Sequence, residues 1–346
     1  MNLTDIFYDF SGDDNQAYLI SLVNLVSRIV SQFGLGFIWI FGNISSILMC
    51  MVFIQPTYRN SPCAMFFLAA SISQFFAYNF ALFTRMLPLG YHVAIFNYNL
   101  WYCKLRFYLF YVFVALPRYY IILASIDRYF ASSREALRRR WSSPKIAYRL
   151  IIGNALFWCI MYAQVIVFYE IASGTCTFRS GSYGVFFSIY IAIDSGILPL
   201  LLMIVFGLLT VRNIHQRKMR IGARERQVTR MGKKDLQLHR MLANQIALFL
   251  ILNLPNPIYL LFISFTINIP KSTFQHAAEI LVGNMTYALI YFGFLLTFTN
   301  FMISSDIFRQ EFFHVFRVKI LRRSAVGRLA GGELTARPLR PINTNA

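Results

Sequence analysis

Seven long apolar stretches constrain this chain more than any other feature. They run over Ile29–Ile54, Cys63–Leu87, Trp101–Tyr129, Leu150–Tyr169, Tyr183–Val211, Met241–Ile267 and Ile280–Ile303, each 20 to 29 residues long. A helix needs roughly 20 apolar residues to cross the hydrocarbon core of a bilayer. Composition agrees. Hydrophobic residues make up 57% of the 346 and charged residues 14%, against about 25% charged in a soluble domain. A soluble enzyme, a nucleic-acid binder and a secreted disulfide scaffold are excluded. The expected fold is an all-α membrane protein, a bundle of seven transmembrane helices.

The net charge of +19 would suggest nucleic acid in a soluble protein, so its distribution decides what it means. Seven spans put alternate connections on opposite sides. Residues 1–28, 88–100, 170–182 and 268–279 hold 3 basic and 6 acidic residues. Residues 55–62, 130–149, 212–240 and 304–346 hold 25 basic and 6 acidic. Basic connections stay cytoplasmic during insertion, so the N-terminus lies outside and the basic runs mark the inner face. No nucleic-acid partner is needed to explain them. Residues 1–28 form an outer tail lacking the pattern of a cleavable leader, and the first span serves as a signal-anchor. Asn2-Leu3-Thr4 matches a glycosylation sequon on that tail at Asn2. Sequons at Asn43 and Asn284 lie inside spans, out of reach of glycan transfer.

The five cysteines separate by depth. Cys50 and Cys159 are inside spans and Cys63 starts one at the inner face, which marks all three as free thiols. Cys103, at the outer end of span three, and Cys176, in the outer loop after span four, face an oxidising compartment. A disulfide between them is the economical reading, two unpaired thiols the alternative. The bridge would pin that loop across the mouth of the bundle.

Span three ends at the inner face in Asp127-Arg128-Tyr129, 24 residues after Cys103. That interval is about 36 Å of helix, enough to cross the membrane. With the span count, the orientation and the second-loop cysteine, this motif resembles the rhodopsin-like (class A) G-protein-coupled receptors, those with peptide ligands included. Further positions match along residues 29–320: Gly42-Asn43 in span one, Trp158 in span four, Pro199 in span five, and Pro255 in span six with Phe249 six residues before it. After span seven, Phe308, Phe312, Phe316 and Ile320 recur every four residues beside Arg309, Arg317 and Lys319. That is an amphipathic membrane-surface helix. The expected layout is therefore an outer tail (1–28), a bundle (29–303), an amphipathic helix (304–321) and a disordered cytoplasmic tail (322–346). The distal tail has few hydroxyls and no cysteine, which gives no support for dense phosphorylation or palmitoylation.

Some positions depart from the family pattern. Its sodium-binding aspartate of helix two falls on Gln74, whose neutral amide lacks the charge to hold sodium. The tryptophan before the sixth-helix proline is Asn253, the fifth-helix tyrosine is Gly207, and Thr297-Phe298-Thr299-Asn300-Phe301 replaces the seventh-helix Asn-Pro-x-x-Tyr.

Charge within the bilayer is a functional-site hypothesis by default. The resemblance implies an inactive-state lock in which Asp127 and Asp235 hold Arg128. Agonist binding would release Arg128 to meet a heterotrimeric G protein. Deeper in the bundle, Arg118 and Asp194 are expected to pair, either structurally or as the floor of a ligand pocket formed with Arg106, Phe110 and Asn253. Phe110 stands where the family's amine receptors carry aspartate, and Ile280–Ile303 has no lysine to attach retinal. Those two ligand classes are therefore disfavoured. Acidic Asp5, Asp9, Asp13, Asp14, Glu170 and Glu279 on the outer side suit a cationic, amidated peptide, or simply solvate the tail. Lys104 and Arg106 would instead meet a carboxylate, so the sign of the ligand stays open. Inner basic runs, Arg138-Arg139-Arg140 among them, suit anionic lipid as well as G protein.

The reading is thus a plasma-membrane receptor for an extracellular ligand, a peptide before a small chemosensory molecule. A secondary transporter using Arg118 and Asp194 is the alternative from another class, weakened because the halves of the chain do not repeat. No enzyme, cofactor or metal site is expected: the five histidines lie outside the spans or at their ends.

Overall fold

The computed structural model describes residues 3–93, 98–133, 135–172, 174–179, 181–220, 233–266 and 269–321. Asn2, most of the basic loop before α6 and the tail 322–346 lie outside the described residues. Among the described residues, seven helices are long and apolar enough to cross a membrane. They are α1 (Asn15–Phe53), α2 (Pro62–Tyr91), α3 (Leu100–Ser132), α4 (Pro144–Phe168), α5 (Ser182–Asn213), α6 (Asp235–Ile263) and α7 (Thr273–Ser304). A short helix, α8 (Asp306–Val315), follows. Between α4 and α5, β1 (Tyr169–Ala172) pairs antiparallel with β2 (Thr175–Phe178).

Local chemistry sets the helix starts. Proline occupies the first turn of α2 and α4, where its missing N–H leaves no bond unmade. The Asn99 side chain caps α3 by accepting from the Trp101 and Tyr102 N–H groups. Ser272 and Gln275 form a reciprocal capping box on α7. Ser305, ending α7, caps α8 through the Phe308 N–H.

α3 is the most buried span and forms the axis of the bundle. The outward faces of the other spans are apolar. Phe33, Ile160, Ile251 and Phe265 are each more than 70% exposed. That surface is satisfied only by lipid.

The helices differ from the expected spans in three ways. The helix carrying the first span begins at Leu3 and runs through a π turn at Val30–Gly34, so residues read as an outer tail are helical. Gln32 Nε2 donates to the Gly90 carbonyl at 2.6 Å and Asn284 Nδ2 to Ser27 Oγ at 3.1 Å, docking this outer extension on α2 and α7. Second, the helix of the fifth span runs on to Arg220 and that of the sixth begins at Lys233, both within charged sequence, because Arg and Lys are good helix formers. Third, Tyr169 is not the end of span four but the first residue of a hairpin. α6 is broken at Leu254, between Lys233–Asn253 and Pro255–Phe265.

Two glycines mark close helix approaches. A methyl on Gly42 would lie 2.4 Å from the Tyr78 ring, and one on Gly196 would lie 2.1 Å from Pro257. α8 docks by its aromatic stripe. Phe308 is fully buried against Phe53, Phe298 and Phe301, and Phe312 packs on Phe298. Half of the stripe expected to face lipid therefore meets the bundle, while Phe316 stays exposed.

Candidate functional site

At the inner end of α3, Arg128 is buried. Its Nε and Nη2 donate to Asp127 Oδ2 at 3.0 and 2.6 Å, and its Nη1 to Asp235 Oδ1 on α6 at 3.2 Å. Ser142 Oγ completes the Asp127 shell at 2.6 Å from Oδ1. The two contacts of Arg128 differ in strength. Asp127 is 5% exposed and held by two bonds, whereas the Asp235 side chain is 55% exposed and held by one. Removing a partner from a buried pair costs about 3–5 kcal/mol. An exposed partner contributes about 1 kcal/mol or less. The link between helices is the weak one. Tyr129 points instead toward α5, its ring 5.8 Å from that of Phe206.

A second set of contacts between α6 and the α7–α8 segment had no counterpart in the sequence reading. Gln245 Nε2 donates to Thr297 Oγ1 at 3.2 Å, and its Oε1 accepts from Asn300 Nδ2 at 3.0 Å. Asn244 Nδ2 donates to Ser304 Oγ at 2.7 Å. Gln237 Oε1 accepts from Ser305 Oγ at 2.7 Å and from the Ile307 N–H at 2.9 Å. Gln237, Asn244 and Gln245 are spaced seven and eight apart, one helix face. That spacing was the signal available in the sequence.

Midway through the bundle, Arg118 and Asp194 are both buried and adjacent, but not as the expected ion pair. Tyr119 Oη donates to Asp194 Oδ1 at 2.6 Å, and the Tyr162 hydroxyl holds Oδ2. Arg118 Nη1 reaches only the Asp194 backbone carbonyl, at 3.4 Å. The physical reason is that two phenols from α3 and α4 occupy both carboxylate oxygens. Asp194 sits in a π turn, Ile193–Ile197, just before Pro199. Trp158 supports this cluster from α4, its ring 4.2 Å from Tyr119 and its Nε1 bonded to Asn154.

Arg118 separates two small cavities. The upper one is lined by Phe110, Tyr111, Tyr162, Tyr287 and Asn256 among others, and the lower one by Gln74, Gln245, Phe249 and Asn253. Of the expected pocket residues, Phe110 therefore faces the upper cavity, Asn253 only the lower one, and Arg106 lines neither. Arg118 Nε, Gln74 Oε1 and Asn253 Oδ1 are buried without a hydrogen bond to protein among the described residues. Asn43 Oδ1 accepts from Asn79 Nδ2 at 2.7 Å, joining α1 to α2. Pro255 opens the outer half of α6. Among the described residues no group of three or more metal-ligating side chains converges.

At the outer face, Cys103 and Cys176 are joined, their Cα atoms 5.8 Å apart. The bridge holds the hairpin against the top of α3. Tyr169 of β1 shares a hydrogen bond with Tyr111 at 2.8 Å. Burial, then its Tyr111 neighbour, holds the Tyr169 hydroxyl well above the usual tyrosine range, so it keeps its proton. Lys104 Nζ reaches the Val167 carbonyl at 3.5 Å.

The helix count, the Asp-Arg-Tyr end of α3 and the bridged outer hairpin together define a membrane receptor. The family model described as 7 transmembrane receptor (rhodopsin family) matches residues 45–303. The chain belongs to that family, and it is a multi-pass protein of the plasma membrane. Comparison with curated proteins gives no match.

Proposed function

We propose that this receptor activates a heterotrimeric G protein when an extracellular ligand binds, and that the ligand is a peptide. The observation that carries the coupling half is the arrangement at Arg128. A cation buried on the axial helix is tied to α6 by one exposed carboxylate. Outward movement of α6, which must also break the amide bonds of Gln237, Asn244 and Gln245, frees it and opens a basic inner face to the transducer. The acidic outer residues Asp5, Asp9, Asp13 and Asp14 support a peptide ligand by attracting a basic one. A small-molecule ligand is the second reading. The aromatic walls of the upper cavity suit one, but its volume of about 20 Å³ holds about one water, so the helices would have to part to admit it. Anionic lipid at the inner basic residues is a further proposed partner.

The test is G-protein recruitment in cells given pooled peptides, with Arg128→Ala matched for surface expression. A response lost in the variant supports both halves. A well-expressed wild type that answers small molecules and no peptide overturns the ligand half alone.

A further inference from the structure

Two arginines stand at the outer ends of α2 and α3, where the positive-inside rule disfavours them. Topology explains the basic residues of the inner face but not Arg85 and Arg106. Both are partly buried rather than turned to lipid or water. Arg106 Nη2 donates to the carbonyl of Thr84, the residue preceding Arg85, at 3.1 Å, which brings the second guanidinium against α2 beside the first. Arg85 lies 4.0 Å from the centre of the Tyr287 ring, and Arg106 4.6 Å from that of Phe107. Both rings contact Phe110, which walls the upper cavity. Two cations thus sit on the aromatic roof of that cavity.

Among the described residues, Arg85 has only neutral partners. Its Nη2 donates to Asn284 Oδ1 at 2.9 Å, while Asn284 is oriented by its own bond to Ser27. Its Nε is buried without a hydrogen bond to any described residue. No described carboxylate lies within 4.0 Å of it, and the two outer-loop acids are engaged elsewhere. Glu279 is held by Lys271 at 2.8 Å and Glu170 by Arg179 at 3.2 Å. The nearest tail acid in sequence, Asp14, precedes Ser27 by thirteen residues, about 20 Å along a helix.

We propose that Arg85 and Arg106 form the recognition site for an acid group of the extracellular ligand, whose apolar part packs on Tyr287, Phe107 and Phe110. This rests on the receptor reading and deepens it: the part of the ligand that enters the bundle ends in a free carboxylate on an apolar or aromatic body, while the acidic tail meets any basic part outside. A planar guanidinium matches a carboxylate with paired donors, and the aromatic bed limits water that would screen the contact.

The test uses the full chain in lipid nanodiscs, without G protein, so that its failure is separate from a failure of coupling. Two sets of probes distinguish the sources of the acid. One is N-acetyl tripeptides ending in Phe, Tyr, Leu or Ile, and the other is decanoate with 3-phenylpropionate. Each is supplied as the free acid and as its primary amide. Thermal unfolding and equilibrium binding are read for the wild type and for Arg85→Gln and Arg85→Lys. The expected result is that at least one acid stabilises the receptor while its amide binds on the order of 30-fold or more weakly. Arg85→Gln then loses the acid's effect and Arg85→Lys retains part of it. Equal stabilisation by acid and amide, or no stabilisation by any acid, overturns the proposal. If Arg85→Gln fails to fold, the acid–amide contrast in the wild type decides alone.

Discussion

The most exacting residue positions lie where a polar group is buried among rings. Asp194 has both carboxylate oxygens held by tyrosine hydroxyls, and charge-assisted bonds of this kind contribute about 1.5–3 kcal/mol each. Asp194→Asn keeps the shape but replaces one acceptor oxygen with a donor that faces another donor. It is expected to lower stability by about 2–3 kcal/mol, read as a fall in the unfolding temperature of the detergent-solubilised protein. Tyr119→Phe, which leaves the Tyr162 contact, is expected to fall less. Equal stability of Asp194→Asn and wild type would remove this cluster from the core. Gly42 is the opposite case, a position that admits no side chain. Its added methyl would overlap the Tyr78 ring, so Gly42→Ala forces a helix to shift. A loss of about 1–3 kcal/mol is expected from overpacking, measured by the same melt.

At the scale of elements, α6 is held inward by two unequal devices. The Arg128–Asp235 contact is single and exposed on one side. The amide clasp of Gln237, Asn244 and Gln245 to the end of α7 and the start of α8 makes five bonds. Gln245→Leu removes two of them, leaving Thr297 with its bond to the Gly293 carbonyl and Asn300 with its bond from Ser304 but no acceptor for its Nδ2 across the helices. It is therefore expected to raise ligand-free signalling more than Asp235→Asn does, by a cellular assay normalised to surface expression. The reverse order would mean that the ionic contact dominates. These elements also show what the sequence revealed. The seven spans were legible because 20 or more apolar residues in a row have few other folds. The hairpin was not, because strands of four residues carry little periodic signal and Tyr169 reads as apolar. The clasp was missed because isolated amides in a long apolar helix look like tolerated exceptions until a facing helix supplies partners. Arg85 was hidden for a similar reason, as a single charge inside an apolar window. Arg128, Asp127 and Asp235 were legible because motif and spacing placed them before any geometry was known. The Arg118–Asp194 adjacency was legible too, but which atoms meet was not, since two tyrosines compete for the carboxylate.

For the whole molecule, the outer and inner faces are tied through α3. Its top is fixed to the hairpin by the Cys103–Cys176 bridge, which closes a loop of 73 residues of sequence separation. Opening that bridge frees the hairpin and the unfolded chain together. Cys103→Ser, Cys176→Ser and the double variant are each expected to lose about 2–5 kcal/mol and to melt alike. A double variant much worse than either single would show that the cysteines act separately. Further down α3, Arg118 stands between two cavities and Arg128 lies at the inner face, so a ligand pressing on the aromatic roof would act on the helix that carries the proposed lock. Arg128 held by Asp127 and Asp235 is, on the function proposed above, the resting form of a G-protein-activating receptor. The most direct test is guanine-nucleotide exchange on a panel of purified heterotrimers by the reconstituted receptor without ligand. Losing an exposed ion pair shifts an equilibrium by up to about fivefold, so Asp235→Asn should raise exchange within that range on at least one heterotrimer. Adding Arg128→Ala to it should return exchange to the receptor-free baseline. Unchanged exchange in Asp235→Asn, or undiminished exchange in the double variant, would contradict the account.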